Sequence, residues 1–148
     1  MGAGEMGFVE LLREHIAKVP ERGYFAIGAF IAPSTTRTQL LRALQADLRD
    51  GTGRASTLGY GPRFLHSTGQ LHKGGPPTGC FIQLTCGHPT DIEIPGRHET
   101  FGVLIDAQAM GDLAALTAHG LPALRIDLGD DAEHGLGELL AAISEALA

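Results

Sequence analysis

The sequence predicts an α/β fold: a three-layer αβα sandwich, doubly wound around a mostly parallel sheet. Segments with helical periodicity alternate along the chain with short apolar segments, which is the order expected of parallel strands joined by helices. The apolar segments run almost unbroken, as strands buried on both faces do. Right-handed crossovers then place helices on both sides of the sheet. The 148 residues suit one domain, 1–148, with a core of its own.

The composition is that of an ordinary globular protein, with 43% hydrophobic and 19% charged residues. A net charge of −6, with lysine at Lys18 and Lys73 alone, argues against a nucleic-acid partner, which needs clustered basic side chains. The sequence has no apolar run of transmembrane length, and acids stand where a signal peptide has bases. We therefore expect no membrane association and a cytoplasmic location. Cys80 and Cys86 are expected to be inert, reduced core thiols.

The first half of the chain predicts two helices and two strands. Apolar residues recur at helical spacing over Phe8–Val19, and Pro20 ends that helix. The apolar run Tyr24–Ile31 predicts the first strand. A leucine stripe then predicts a helix that ends near Arg49, before a short strand at Ala55–Leu58.

Two polar positions in this half have alternative interpretations. His15 lies near the edge of the apolar face of the first helix, so we expect it at the surface or rim. Ser34, Thr35 or Thr36 can cap the second helix, and a strand, hydroxyl-rich turn and helix can also bind phosphate at the helix start. The pattern favours the cap.

The second half continues the alternation of strands and helices. Thr78–Thr85 predicts a third buried strand, β-branched and aromatic. From Thr100 the apolar spacing predicts one long helix, or two with a break near Gly111. Ala123–Leu128 predicts a fourth strand, and Asp131–Leu147 a final helix.

A glycine-rich stretch, Gly59–Pro77, interrupts this pattern and is the candidate site. It follows the second predicted strand at its carboxyl end, where doubly wound folds bind ligands. Glycine lets a backbone approach a ligand, and loops on a rigid scaffold often carry function. The stretch holds polar side chains suited to binding and proton transfer, namely Arg63, His66, Ser67, Thr68, Gln70, His72 and Lys73.

These side chains suit a phosphorylated, polyhydroxylated small molecule. His66 or His72 can move a proton near neutral pH, and Arg63 or Lys73 can hold an anion. Hydroxyl groups or phosphate oxygens can bind to Ser67, Thr68 and Gln70. A metal site fits less well, because the two histidines stand six positions apart with no carboxylate or thiol near them. A nucleophilic serine also fits poorly, because the strand-turn-helix glycine pattern is absent.

The run Thr57–Pro76 resembles the C-terminal part of phosphoglucose isomerases. It is most similar to the branch that is fused behind a transaldolase. Three shorter segments are similar too: Ile94–Gly96, Thr100–Leu104 and Leu124–Ile126. The resemblance implies a sugar isomerase (SIS) domain, which agrees with the predicted sandwich.

The resemblance also implies an activity. Phosphoglucose isomerases interconvert glucose 6-phosphate and fructose 6-phosphate without a cofactor. His66 matches the histidine that assists ring opening, and Gln70 matches a supporting position near the same pocket. In the family this histidine completes the active site of a neighbouring subunit, so the resemblance implies a homodimer.

The chain departs from the family pattern in two respects. The family's glutamate base belongs to an N-terminal SIS domain, and no segment here matches its motif; Glu93 and Glu99 lie in another context. The final predicted helix lacks the family's active-site lysine, which leaves Lys73 as the candidate for that role. We therefore expect a partial isomerase that needs an N-terminal SIS domain, with or without a transaldolase domain. The alternatives are a non-catalytic SIS module that binds a sugar phosphate, a structural or dimerisation subunit, and a small hydrolase.

Overall fold

A computed structural model of the protein describes residues 7–65 and 67–148. These residues form five helices and four strands, in the order α1 (Phe8–Ile16), β1 (Tyr24–Phe30), α2 (Thr35–Thr52), β2 (Ala55–Tyr60), α3 (Thr68–Gly74), β3 (Gly79–Thr85), α4 (Phe101–Ala118), β4 (Ala123–Asp127) and α5 (Ala132–Leu147).

All four strands are parallel, in the order β2-β1-β3-β4. The predicted α/β sandwich is therefore confirmed. The chain first moves outward from β1 to β2 and then returns to β3 on the other side of β1. This reversal puts a switch point between the carboxyl ends of β1 and β3, where connections leave in opposite directions and open a crevice.

One face of the sheet carries the larger core. Alternate strand residues such as Phe25, Ile27 and Ile82 point to this face, where α1, α2 and α5 cover them. Of the leucine stripe predicted for the second helix, Leu40 is partly buried and packs against this core. The other stripe leucines and much of α5 are fully buried here: Leu41, Leu44, Leu48, Leu136, Leu139 and Ile143. Burial of a large apolar side chain stabilises the fold by about 1.5–3 kcal/mol, so this face dominates stability.

The opposite face is covered by α3 and α4 and has a smaller core. Its buried members are Ala26, Phe81, Leu116 and Leu121. Large apolar side chains on the outer surface of α4 stay exposed, among them Val103 and Met110. Of the helices in residues 7–65 and 67–148, α4 alone has the length and mean hydropathy (1.2) of a membrane span, and it contacts β1, β3 and β4.

Three side chains begin helices as caps. Ser34 Oγ accepts from the Arg37 N–H at 3.1 Å. This confirms the favoured interpretation of the hydroxyl-rich turn, that it caps the second helix. Thr100 and Asp131 cap α4 and α5 in the same way.

The structure decides one open alternative and corrects two expectations about elements. The fourth helix continues through Gly111 as one long helix, which was the first of the two predicted alternatives. The glycine-rich stretch is not all loop, because α3 lies inside it. His15 is buried rather than at the rim: its Nε2 lies 2.8 Å from the carbonyl oxygen of Phe81, which satisfies the imidazole inside the core. Helical spacing alone could not reveal that partner, which comes from a strand far along the chain.

Candidate functional site

The segment after β2 leaves the sheet at its carboxyl edge and turns back across it. Gly28 and Gly59 are register partners on β1 and β2, and the ring of Phe64 lies over both. A Cβ at Gly28 would lie 3.0 Å from Phe64 Cζ, and one at Gly59 would lie 3.1 Å from Cδ1. Phe30 adds an edge-to-face contact, with the ring centroids 5.6 Å apart. These two glycines therefore serve the packing of Phe64.

Beyond Phe64, α3 crosses to the amino-terminal half of the sheet and is anchored there by His72. The imidazole is buried between Tyr24 and Phe81, with ring centroids 5.5 Å and 5.4 Å away. Burial lowers the pKa of His72, against a smaller opposing effect of the Asp112 carboxylate. The neutral, buried imidazole therefore serves mainly to hold α3 against the sheet. The predicted role of His72 in substrate binding stays a prediction.

Lys73 follows on the same helix and forms an ion pair with Asp112 of α4, Nζ to Oδ1 at 2.5 Å. The Lys73 side chain is 20% exposed and that of Asp112 is 6% exposed. Because the Asp112 carboxylate compensates the Lys73 ammonium where both side chains are largely buried, Lys73 is not a free cation available to another anion. The sequence did not reveal Asp112 as the partner of Lys73. The catalytic role predicted for Lys73 stays a prediction.

A small cavity of about 50 Å³ lies between α3, α4 and the centre of the sheet. Thr68, His72 and Lys73 border it from α3, and Asp112 borders it from α4. Gln83 of β3 borders it as well: its Nε2 donates to the Ala109 carbonyl at 2.8 Å, while its buried Oε1 has no hydrogen-bond partner. Asp112 Oδ1 also lacks a hydrogen bond of normal geometry, although Lys73 Nζ lies beside it, so the cavity combines a charge pair with two buried acceptors.

The other predicted site residues lie outside this cavity. Arg63, Ser67 and Gln70 are exposed to solvent. Ser67 Oγ donates to the Phe64 carbonyl at 3.3 Å, within its own turn. His66 lies outside the described residues. Of the predicted set, the structure therefore brings together Thr68, His72 and Lys73.

A larger cavity of about 600 Å³ opens at the carboxyl edge of the sheet, at the switch point between β1 and β3. Most of its lining follows the ends of β1 and β3 or belongs to the start of α4. Pro62, from the glycine-rich stretch, also borders it. A cleft of this volume is in the range of small-molecule sites, and parallel sheets commonly place them at this edge.

One ion pair and one side-chain hydrogen bond frame the larger cavity. Arg37 of α2 pairs with Glu133 of α5, Nε to Oε1 at 3.1 Å, and also donates to the Ala32 carbonyl at 2.9 Å. His88 Nε2 lies 2.9 Å from Asp106 Oδ1. These polar groups were not singled out from the sequence. The sequence indicated these residues only through their positions, which follow the end of a strand or lie near the start of a helix at the carboxyl edge.

Asp91 also borders this cavity, and its role is local. It accepts from Thr100 Oγ1 at 2.7 Å and from the Gly102 N–H at 2.9 Å. The Thr100 hydrogen bond, helped by the Gly102 N–H, lowers the pKa of Asp91. The carboxylate therefore fastens the connection before α4 to the start of that helix.

The two cysteines differ in their surroundings. Cys80 is fully buried, and burial raises the pKa of its thiol to about 12, so it is the inert core residue that was expected. Cys86 is half-buried and borders the larger cavity, although burial raises its pKa too. It packs against the edge of the core after the end of β3, where the sheet opens.

Metal ligation has no support among the side chains that the structure describes. Across residues 7–65 and 67–148, no group of three or more His, Cys, Asp and Glu side chains is placed to hold a metal ion. His72 is packed between the rings of Tyr24 and Phe81.

Comparison with known proteins bears on the fold alone. No model of a known protein family matches the chain, and no curated protein matches it significantly. Among solved structures, the chain is similar to a hypothetical protein from Thermus thermophilus, with a TM-score of 0.73 and 17% sequence identity. The match covers 94% of this chain and 37% of that one, so this chain spans little more than a third of the structure it matches.

Proposed function

We propose that the protein is the C-terminal sugar isomerase domain of a glucose-6-phosphate isomerase, of the kind fused behind a transaldolase. The sequence of Thr57–Pro76 carries the proposal, because it resembles that family over a continuous run of unusual composition. One structural observation supports it: the segment begins at the carboxyl edge, and Pro62 borders the larger cavity there. A sugar phosphate bound in that cavity would lie beside the segment that contains His66.

In this proposal the chain contributes a proton-transfer group and part of the binding surface. His66 assists opening of the sugar ring by moving a proton between the ring oxygen and the anomeric hydroxyl. The carbon-bound proton then moves between C1 and C2 through an enediol, and a glutamate of the N-terminal SIS domain is the proposed base. No cofactor takes part. Neither domain alone would hold the complete set of groups.

A homodimer in the cytoplasm completes the proposal. In the resembled family the histidine acts in the neighbouring subunit, so His66 would serve a site that two copies share. The outer surface of α4, with Phe101, Val103 and Met110 exposed, is available for contact with another domain or copy.

The decisive experiment is an isomerase assay on the protein alone and together with a protein that carries the N-terminal SIS domain. Fructose 6-phosphate should be converted only in the mixture or fusion, because abstraction of a carbon-bound proton needs a positioned base. Robust turnover by the 148 residues alone would contradict the proposed need for a glutamate of the N-terminal SIS domain and direct attention to Glu93 and Glu99. No turnover in either arm would overturn the isomerase assignment.

One observation favours the non-catalytic alternative, a module that binds a sugar phosphate: Lys73 is paired with Asp112, which counts against its predicted catalytic role. Saturable binding of fructose 6-phosphate by calorimetry, with no turnover in either arm of the assay, would identify that module.

A further inference from the structure

His88 lies at the carboxyl edge of the sheet and borders the larger cavity. It follows the end of β3, and its side chain is 24% exposed. Its Nε2 lies 2.9 Å from Oδ1 of Asp106, near the start of α4. The pair therefore joins the connection after β3 to the helix that forms one wall of the cavity.

The carboxylate decides which nitrogen of the His88 imidazole carries the proton. An ionised carboxylate only accepts hydrogen bonds, so the proton of the neutral ring must be on Nε2. Among the residues that the structure describes, His88 forms its side-chain hydrogen bond through this nitrogen alone. The lone pair on Nδ1 is then free to accept a proton. The pair thus has the arrangement of a general base that a carboxylate orients.

Gly102 of α4 shapes the place in which the imidazole lies. A Cβ at Gly102 would lie 2.8 Å from both Cγ and Cδ2 of His88, and 2.5 Å from Oδ2 of Asp91. A side chain at this position would therefore displace the imidazole or the carboxylate. Because Cδ2 and Nε2 of the ring face α4, Nδ1 is the nitrogen that a ligand in the cavity can reach.

The rest of the lining indicates the kind of ligand. Asp91 and Asp130 add carboxylates to it, whereas the Arg37 guanidinium on the same cavity is already paired with Glu133. Carboxylates accept hydrogen bonds from hydroxyl groups but repel anions. The part of the ligand that lies beside His88 is therefore expected to carry hydroxyl groups and no negative charge.

We propose that His88 is a catalytic residue, which moves a proton at a hydroxyl group of the substrate in the larger cavity, and that Asp106 is its positioning residue. Nδ1 takes the hydroxyl proton and the oxygen keeps the electron pair of the broken O–H bond. Nε2 retains its own proton, and the Asp106 carboxylate compensates the imidazolium. The structure of the cavity motivates this assignment, and its reaction rests on the isomerase function proposed above.

In that reaction one hydroxyl group becomes a carbonyl group while the neighbouring carbonyl group becomes a hydroxyl group. The first oxygen must therefore lose a proton and the second must gain one. His88 removes the proton from the first oxygen and returns it to the second, so the imidazole ends the cycle unchanged. This transfer is separate from ring opening, which the proposed function assigns to His66.

The activity test uses the protein joined to its N-terminal SIS domain, with fructose 6-phosphate as substrate. His88→Gln keeps an N–H group for Asp106 but cannot take up a proton, so it preserves a structural role and removes a catalytic one. We expect it to lower kcat about 10²-fold or more, with KM changed less than about threefold. Asp106→Asn should lower kcat at least about 10-fold, because an amide no longer fixes the proton on Nε2.

The matched control is a second histidine–carboxylate pair, His134 and Glu138 of α5. Its Nε2 and Oε1 atoms are 3.3 Å apart, both side chains are exposed, and neither borders a cavity described above. His134→Gln and Glu138→Gln should leave kcat within about threefold of the parent. A kcat of His88→Gln within that range, or a loss no larger than its loss of folded protein, would overturn the catalytic role even if the enzyme isomerises.

Nitrogen-15 NMR of the imidazoles separates the failure of this inference from the failure of the proposed function. At about pH 8, where an unperturbed imidazole is neutral, His88 of the protein alone should carry its proton on Nε2. In the protein joined to the N-terminal SIS domain, saturating fructose 6-phosphate should shift the Nδ1 resonance of His88 and leave that of His134 unchanged.

A proton on Nδ1, or an Nδ1 resonance that fructose 6-phosphate does not move, would overturn the inference even in an active isomerase. The expected tautomer and shift, without turnover by the parent protein, would overturn the isomerase function while supporting His88 as a contact of a hydroxylated ligand.

Discussion

The small and the larger cavity formed by the described residues differ in what surrounds them. The small cavity lies over the centre of the sheet, and its charged groups, Lys73 and Asp112, neutralise each other. The larger cavity lies at the carboxyl edge and is open, and its lining comes mainly from strand ends and the start of α4. The glycine-rich stretch reaches both: Pro62 borders the larger cavity and α3 covers the small one. One continuous segment therefore combines a part near a ligand-sized cleft with a part that is built into the fold.

This difference divides the predicted site residues into two groups. The proposed function assigns ligand contacts to the start of the stretch, where Pro62 borders the larger cavity. Residues on α3 contact the sheet and α4, so their first effect is on structure. The three predictions below test that division, from the largest expected effect to the smallest.

The largest effect is expected at His66. In the complete enzyme, His66→Ala should lower turnover of the cyclic sugar phosphate by about 10²- to 10⁴-fold, the usual contribution of general acid–base catalysis. The measurement is steady-state kinetics, with the melting temperature as a check on folding. His134→Ala is the matched control, since His134 is an exposed histidine on α5 that pairs with Glu138. An unchanged rate in His66→Ala would remove the histidine from the mechanism.

An intermediate effect is expected when the larger cavity is filled. Gln108 borders it from α4, so Gln108→Trp should occupy part of the space and weaken fructose 6-phosphate binding at least about 10-fold, equivalent to about 1.4 kcal/mol. Titration calorimetry measures the loss. Ala114→Trp is the control, because Ala114 is exposed on the same helix and borders neither cavity. Equal affinities in the two variants would mean that the ligand binds elsewhere.

The smallest effect concerns pH. Burial lowers the pKa of both His15 and His72 in the folded protein. The unfolded chain therefore binds more protons as the pH falls below about 6.5, and the free energy of unfolding must fall with it, by at most about 1.4 kcal/mol per pH unit for each histidine. Above that pH the contribution of the neutral imidazoles is fully present.

Denaturant unfolding between about pH 5 and 7 checks this dependence, in the range in which an unperturbed histidine titrates. His72→Phe should reduce the slope, because the ring can still lie between Tyr24 and Phe81 but takes up no proton. If His72→Phe leaves the slope unchanged, the imidazole is not the buried anchor of α3 that its surroundings indicate.

Much of the fold could be predicted because its signals are local. The apolar run of β1, the leucine stripe of α2 and the caps at Ser34 and Asp131 each depend on residues close together in sequence. The glycine-rich stretch was harder. Its composition disfavours a helix, yet α3 forms there because His72 and Lys73 gain contacts with β1, β3 and α4 that an isolated segment lacks.

The candidate site could be predicted in part. The side chains of the stretch and their chemistry were evident, as was the edge of the sheet from which the stretch begins. The Lys73–Asp112 pair and the His15–Phe81 contact were not, because each joins segments that are distant in sequence. The larger cavity was missed for the same reason: groups such as Arg37, His88 and Asp130 converge only when separate loops meet.

By itself, the sequence determined the order of strands and helices and the concentration of polar chemistry in one segment, because periodicity, capping and composition act over a few neighbouring residues. Tertiary structure decided which of those polar groups stay free. The charge of Lys73 is compensated and His72 is buried because α3 packs against the sheet and α4. The ligand-sized cleft opens at the switch point because the connections after β1 and β3 leave in opposite directions. Burial and charge pairing are properties of the assembled layers, and no stretch of the chain carries them alone.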